Sequence, residues 1–217
     1  NWKECPYRHK LAYIDKVPYY SGNEFTAFGS SIHASCEEIV QNHKANPYEI
    51  FKNSFKRELS ILKEENINVD KELVLQMQEQ ARNLCKNILP SLEDYFKDYK
   101  VISVEEPLME EITEITSYGK KFKGFIDLVI KTSDEKYHII DWKTCSWGWP
   151  SSKKTDPIVN YQLTYYKNYF SKKHKINPEN IETYFALLKR TAKKESVEIF
   201  RVTSGNKKTT NALKILE

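Results

Sequence analysis

The sequence predicts an α/β fold in which one mixed β-sheet lies between layers of helices. Two runs, 124–130 and 137–143, are rich in β-branched and aromatic residues and are joined by a polar turn, as in neighbouring strands. Apolar residues at three- and four-residue spacing predict helices between positions 23 and 99 and again from 160 to 170. Strand-like runs at 101–116, 182–189 and 197–202 would complete the sheet.

Length and composition favour one domain, and we expect residues 1–217 to fold as a unit. Apolar residues make up 40% of the chain, which is enough for a core. No apolar run approaches the roughly 20 residues that cross a bilayer. No segment resembles a signal peptide. We therefore expect a cytoplasmic protein without membrane contacts.

The net charge of +4 is unevenly distributed, because residues 143–217 carry 15 lysines and arginines against 6 acidic residues. Such a basic segment favours a polyanionic partner. A solvated lysine-rich surface would explain the charge equally well. The cysteines are scattered without a CxxC pair, which indicates reduced thiols.

The N-terminal half is predicted to be helical. Residues 5–13 form a short candidate helix, and Asn23–Gln41 form a longer one whose apolar face includes Ile32 and Cys36. His33 lies beside that face, where a histidine is more often structural than a ligand. Residues 47–99 read as a helical arm with a break at 66–68, an N-cap at Asp70 and a kink or end at Pro90.

The next strand carries two adjacent acidic residues, Glu105 and Glu106. Successive strand residues point to opposite faces, so only one of the two can face a given site. Both could instead be exposed charges at a strand edge.

The central strand pair carries the residues that suggest chemistry. Asp127 and Asp141 stand in apolar runs on the two strands, and Lys143 shares a face with Asp141. Buried carboxylates are costly, and a neighbouring pair raises the pKa of each member. A divalent cation such as Mg²⁺ would relieve both problems. An ordinary hairpin with a surface aspartate and an exposed lysine is the simpler alternative.

Two further segments follow. The loop 145–155 places Trp147 near Lys153 and Lys154, a mixture of rings and cations that can stack bases and hold phosphates of a single strand. The same loop could instead pack over the core. In the helix from 160 to 170, Gln162 and Tyr166 are four residues apart and share a face.

These residues together resemble a known signature. Gly124-x-x-Asp127 followed by Asp141-Trp-Lys143-Thr resembles the GxxD…DxKT motif of the PD-(D/E)xK nuclease superfamily. The Gln162-x-x-x-Tyr166 pair, and a histidine four residues after a glycine on an early helix, are similar to its RecB-like branch. That branch includes exonuclease domains of recombination machines and a CRISPR-associated nuclease.

The resemblance implies a restriction-endonuclease-like core with residues 47–99 as a helical insertion that packs on the sheet or helps to enclose DNA. It implies that His33, Asp127, Asp141 and the backbone carbonyl of Trp142 hold Mg²⁺ or Mn²⁺. Glu105, in a segment similar to the E-x-P motif, is preferred to Glu106 as the further acidic residue.

In the same resemblance, Lys143 acts on the attacking water or the transition state. Gln162 would orient Lys143 or a phosphate, and Tyr166 would contact DNA.

The resemblance also implies a function, metal-dependent hydrolysis of DNA, most often as an exonuclease in repair, recombination or viral DNA processing. Its partners would be DNA ends or single strands and proteins of recombination or replication. We predict no iron–sulfur cluster, because no cysteine follows Cys145. One alternative is a silent nucleic-acid-binding subunit with the same fold. Another is a metal-dependent enzyme with a different substrate.

Overall fold

The computed structural model describes residues 5–17, 22–113 and 121–215. A five-stranded sheet has helices on both faces, which confirms the predicted architecture. The predicted connection at 117–120 lies outside the described residues. The strands are β1 (Tyr99–Glu111), β2 (Lys121–Thr132), β3 (Tyr137–Cys145), β4 (Ile181–Lys189) and β5 (Val197–Val202).

Eight α-helices are found in the described part of the chain. They are α1 (Pro6–His9), α2 (Glu24–Gln41), α3 (Pro47–Glu64), α4 (Lys71–Cys85), α5 (Ile88–Phe96), α6 (Ser151–Thr155), α7 (Pro157–His174) and α8 (Asn206–Leu213). A π-helical turn, Lys10–Ile14, continues α1, and a 3₁₀ turn, Pro178–Asn180, precedes β4. No helix among the described residues is both long enough and apolar enough to cross a membrane.

The strands lie in the sheet in the order of the chain, β1-β2-β3-β4-β5. Neighbouring strands are antiparallel except β3 and β4, which are parallel. A parallel pair needs a crossover connection, and α6 and α7 provide it on one face of the sheet.

Each face of the sheet has its own core. The first core packs α2–α5 against one face and includes Leu128, Ile130, Ile140, Trp142, Tyr184 and Ala186 from the strands. The second core packs α7 against the other face and includes Val129, Ile139, Phe185 and Leu187. Alternate strand residues thus serve opposite cores, as strand geometry requires.

Side-chain caps set the starts of the long helices. Asn23 Oδ1 accepts hydrogen bonds from the N–H groups of Phe25 and Thr26 at 3.0 Å each, which begins α2. Asp70 Oδ1 accepts from the N–H of Glu72 at 2.9 Å, which confirms the predicted cap of α4. These helices lie next to each other because α2 presents its buried face to α3 and α4.

Two predictions need correction. The pattern from 71 to 99 contains two helices, which separate after Cys85, and Pro90 is the third residue of α5. Proline is tolerated there because the first-turn N–H groups have no partner within the helix. Residues 151–155, predicted as loop, form α6. The predicted first helix exists, but none of the residues of α1 is buried.

Candidate active site

The candidate site lies where β2 and β3 separate. Their pairing ends at Leu128 opposite Ile140, so that Asp127 and Asp141 follow on the two diverging strands. Asp127 Oδ2 accepts a hydrogen bond of 2.7 Å from the backbone N–H of Trp142. If the pairing of β2 and β3 continued, a backbone carbonyl of β2 would accept this hydrogen bond, and the Asp127 carboxylate takes its place. This bond fixes the orientation of Asp127.

Asp141 and Lys143 project from the same face of β3. The Lys143 Nζ atom lies 2.5 Å from Asp141 Oδ2. Asp141 is almost fully enclosed, with 1% of its surface exposed, whereas 31% of the Lys143 side chain reaches solvent. Lys143 thus pairs with Oδ2 and lowers the pKa of the buried carboxyl group. A carboxylate oxygen accepts more than one partner, so the paired Asp141 can still bind a cation.

His33 reaches the two carboxylates from α2. Its Nδ1 atom lies 3.8 Å from Asp127 Oδ2. Burial lowers the pKa of His33 below its usual value, although the charge of Asp141 opposes that shift. The backbone of Trp142 also opposes the shift in the pKa of His33. A neutral imidazole is the form that binds metals, so His33 is suited to be a ligand.

The two aspartates differ from surface carboxylates in their ionisation. Burial raises the pKa of Asp127 to about 7, against the opposing effects of the Trp142 N–H and the Lys143 charge. Burial also raises the pKa of Asp141 to about 6, with Lys143 lowering it and Asp127 raising it further. Strongly raised carboxyl pKa values in one place are typical of functional sites.

The oxygen and nitrogen donors at this place fit a divalent metal ion. Asp141 is an enclosed carboxylate paired with Lys143, and Asp127 and His33 lie close to it. Among the described residues, no three His, Cys, Asp or Glu side chains converge closely enough to form an ion site by themselves. Mg²⁺ commonly takes one or two carboxylates and completes its shell with water and phosphate oxygens.

Glu105 lies on the same side as this cluster. It has a left-handed backbone conformation, with φ of 49°, and is exposed. Partial burial of the carboxylate, followed by the charges of Glu37 and Asp141, raises its pKa. A non-glycine residue at positive φ is uncommon within a strand and often marks a functional position.

Glu106 is directed to other partners. Lys173 Nζ donates to its Oε1 at 2.9 Å, and His174 Nε2 lies 2.5 Å from the same atom. Burial alone would raise the pKa of Glu106, but hydrogen bonds from Ser103, Lys173 and His174 bring it below its usual value. Glu106 therefore anchors β1 to the end of α7, and it is not available to the site.

Sequence reasoning missed Glu37. It lies four residues after His33 on α2, and so on the same face of the helix. Its charge affects the pKa of Glu105, Asp127 and His33. The spacing from His33 is the signal that could have identified it.

The two residues predicted on α7 contact each other. Gln162 Nε2 donates a hydrogen bond of 3.0 Å to the Tyr166 hydroxyl. Tyr166 is only 6% exposed, and burial raises its pKa to about 12. The charges of Asp141 and Asp127 also affect that pKa, which places the Tyr166 ring beside the carboxylates.

Tyr166 also explains the glycine of the strand motif. A Cβ atom at Gly124 would lie 2.8 Å from Tyr166 Cε1, closer than side chains normally approach. The absence of a side chain at Gly124 is what lets the Tyr166 ring lie against β2.

The residues predicted after β3 have different environments. Trp147 is 79% exposed. Lys153 is exposed, and its Nζ lies 4.4 Å above the ring of Trp149. Lys154 forms an ion pair with Glu198 and is half-buried. Trp147 and Lys153 can reach a ligand from solvent, whereas Lys154 is already paired within the protein.

The four cysteines differ in their exposure to solvent. Cys5 is exposed, Cys36 and Cys85 are buried in the helical layer, and Cys145 is half-buried at the end of β3. All four are free thiols.

Comparison with known proteins agrees with the fold and the motif. A crystal structure of a "putative exonuclease" from Eubacterium rectale superposes with a TM-score of 0.57 at 12% identity, covering 96% of this chain and 69% of that one. The structure of SSO0001 aligns over 99% of this chain and 86% of its own at 13% identity, but its TM-score of 0.36 is too low to support an argument.

No curated protein matches the sequence significantly. The family model of the PD-(D/E)XK nuclease superfamily matches residues 1–215, nearly the whole chain. The chain therefore belongs to the PD-(D/E)XK nuclease superfamily.

Proposed function

We propose that this protein is a DNA nuclease that depends on Mg²⁺ or Mn²⁺ and degrades DNA as an exonuclease. One observation carries the proposal: two buried aspartates with raised pKa values lie beside a neutral histidine and the Lys143 ammonium. Superfamily membership supports hydrolysis of a nucleic acid. The DNA substrate and exonuclease mode rest on the resemblance to the RecB-like branch.

In this proposal, Asp127 and Asp141 hold the ion, and His33 and the Trp142 carbonyl complete the protein's share of the ligands. The ion would acidify water and neutralise charge on the phosphate. The hydrogen bond from the Trp142 N–H holds Asp127 through Oδ2, so its Oδ1 would be available as a ligand.

Lys143 acts at the scissile phosphate. Its ammonium is partly exposed and tethered by Asp141, so it can reach an incoming phosphate without leaving the site. There it positions the attacking water and stabilises the negative charge of the transition state. Glu105, on the same side of the sheet, is placed to assist a second ion or a water molecule.

The roles that we propose for the other predicted residues depend on how exposed their side chains are. We assign Trp147 and Lys153, both exposed, to contacts with single-stranded DNA. Tyr166 is almost wholly buried, so its role is to support the carboxylates, with Gln162 holding its hydroxyl. Direct contact between Tyr166 and DNA would need the ring to become more exposed.

The test is digestion of end-labelled linear DNA, single- and double-stranded, and of circular DNA, with Mg²⁺ or Mn²⁺. Lys143→Met, which keeps the length of the side chain, should lower the rate by about 100-fold or more. Lys100→Met, which changes an exposed lysine at the start of β1, is the matched control and should retain full activity. Metal-dependent degradation that survives in Lys143→Met would remove Lys143 from the mechanism. Cutting of circular DNA would contradict a strict exonuclease.

A silent nucleic-acid-binding module is the second candidate. The lack of three converging ligand side chains among the described residues is the observation in its favour. Calorimetric titration with Mn²⁺ separates the two candidates. Binding that is lost in Asp127→Asn supports the enzyme, whereas DNA binding without ion binding or cleavage supports the module.

A further inference from the structure

A groove lies on the outer side of the helical layer, between α3 and α4. The facing sides of these helices and the connecting segment 67–69 enclose a volume of about 890 Å³. No residue assigned to the candidate active site lines it. This groove is therefore a separate surface whose role the nuclease chemistry does not explain.

The floor of the groove is aliphatic. Its apolar residues are Leu59, Ile67, Val69, Val74 and Leu75. Four of them are half-buried, and Leu75 is 64% exposed. Leu59, Ile67, Val69 and Val74 also pack against the core of the helical layer, so the floor is a rigid aliphatic surface that a partner could cover.

All the charged residues that line the groove are cationic. Four lysines line it, Lys52, Lys56, Lys63 and Lys71, and no aspartate or glutamate does. Lys52 is paired with Glu49 at 2.8 Å. The other three have no ion pair with any residue that the structure describes. Three unpaired cations around an apolar floor favour an occupant that is both anionic and apolar.

The absence of rings in this groove argues for a peptide rather than a nucleic acid. Single strands bind proteins largely by stacking bases on aromatic side chains. None of the residues that line this groove is aromatic. A floor of branched aliphatic side chains between two helices is instead suited to the apolar face of a third helix.

We infer that the groove between α3 and α4 binds an acidic amphipathic helix of a partner protein. The helix lays its apolar side chains on Leu59, Val74 and Leu75. Its acidic side chains pair with Lys56, Lys63 and Lys71 on the rim. This interaction would connect the nuclease domain to another protein without obstructing the candidate active site.

The test uses a fluorescent peptide of about 16 residues, designed as a helix with leucines at i, i+4 and i+7 and glutamates elsewhere. Fluorescence anisotropy measures its affinity for the whole chain. Leu75→Glu should weaken binding by at least about tenfold, because it places an acidic group on the apolar floor. Ile61→Glu changes an exposed apolar residue of α3 outside the groove and should leave binding unchanged.

A charge reversal provides the second measurement. The double variant Lys56→Glu, Lys63→Glu should lose the acidic peptide and bind a version in which lysines replace the glutamates. Both lysines are exposed, so the variant should still fold cooperatively, with a small loss of stability because Lys63 lies in the last turn of α3. Leu75→Glu and Ile61→Glu should digest DNA at the same rate, because they change the charge equally and neither residue belongs to the candidate active site, which separates this inference from the proposed function.

Four results would overturn the inference. The first is that the acidic peptide does not bind the original protein. The second is that Leu75→Glu and Ile61→Glu weaken peptide binding equally. The third is that the charge-reversed protein does not prefer the lysine peptide. The last result is displacement of the peptide by a single-stranded oligonucleotide whose own binding is lost in Leu75→Glu. It would identify nucleic acid as the occupant and would refute the peptide assignment.

Discussion

Replacing Asp127 with asparagine should stabilise the protein in the absence of metal while removing its ability to bind an ion. Asparagine keeps the shape and an oxygen that can accept the 2.7 Å hydrogen bond from the Trp142 N–H. It removes a charge that burial makes unfavourable. The stabilisation should therefore depend on pH, because it reflects the ionisation of one carboxyl group.

The magnitude follows from the pKa. The pKa of Asp127 rises from its ordinary 3.8 to about 7 in the folded protein. The folded state then binds more protons than the unfolded state between about pH 4 and 7, so the free energy of unfolding falls as the pH rises through this range. Each pKa unit corresponds to about 1.4 kcal/mol, so ionisation of Asp127 destabilises the folded protein by about 4 kcal/mol at most. Structural relaxation and water entry reduce this penalty, and we expect Asp127→Asn to raise the free energy of unfolding by at least about 1 kcal/mol.

The assay is urea unfolding in the presence of a chelator at pH 4.5 and pH 8. The gain in the free energy of unfolding for Asp127→Asn should be small at pH 4.5 and largest at pH 8. Asp98→Asn is the matched control, because Asp98 is an exposed aspartate just before β1. When Mn²⁺ replaces the chelator, the stability of the original protein should rise and that of Asp127→Asn should stay unchanged. A variant that is less stable at pH 8, or a gain independent of pH, would refute the reasoning.

Three further substitutions test other features. Gly124→Ala should destabilise the protein by about 1–3 kcal/mol in urea unfolding, because the new Cβ would displace the ring of Tyr166; unchanged stability would show that the ring moves freely. Trp147→Ala should leave the unfolding temperature unchanged, because the side chain is exposed. It should weaken binding of a single-stranded oligonucleotide by about 1–3 kcal/mol in a fluorescence titration. Equal affinity of the variant and the original protein would exclude base stacking at Trp147. Glu106→Gln should cost about 1–3 kcal/mol in urea unfolding by weakening the contacts with Lys173 and His174, and a loss of cleavage without a loss of stability would instead place Glu106 in the reaction.

The strand pair and its charged residues could be predicted because local rules determine them. Composition and the polar turn identify β2 and β3, and the two-residue period puts Asp141 and Lys143 on one face. The helical period likewise identifies the buried face of α2. In these elements the local pattern and the tertiary packing agree, so no information beyond the sequence was needed.

The break between α4 and α5 could not be predicted from spacing. Leu84, Ile88 and Leu92 are all fully buried and are separated by four residues each. The apolar period therefore continues unchanged through the point at which the helix ends. The polar residues of α6 present the opposite difficulty, because a helix of five residues without apolar members has no period to detect.

The choice between Glu105 and Glu106 depends on a distant part of the chain. Alternation separates the two carboxylates but does not say which of them faces the site. Lys173 and His174, at the end of α7, bind Glu106, and this contact is made only in the folded protein. Glu37 differs in this respect, because its spacing from His33 is visible in the sequence and only its proximity to Glu105 depends on the packing of α2 beside β1.

The bond between Asp127 and the Trp142 N–H has an evolutionary consequence. A descendant that no longer cleaved nucleic acid would be free to lose its ion, yet an aliphatic residue at position 127 would leave a buried amide without an acceptor, at a cost of about 1–3 kcal/mol. Selection for folding alone should therefore favour asparagine at this position in inactive descendants. The first sign of lost catalysis would then be the exchange of a single oxygen for nitrogen, with the surrounding sheet preserved.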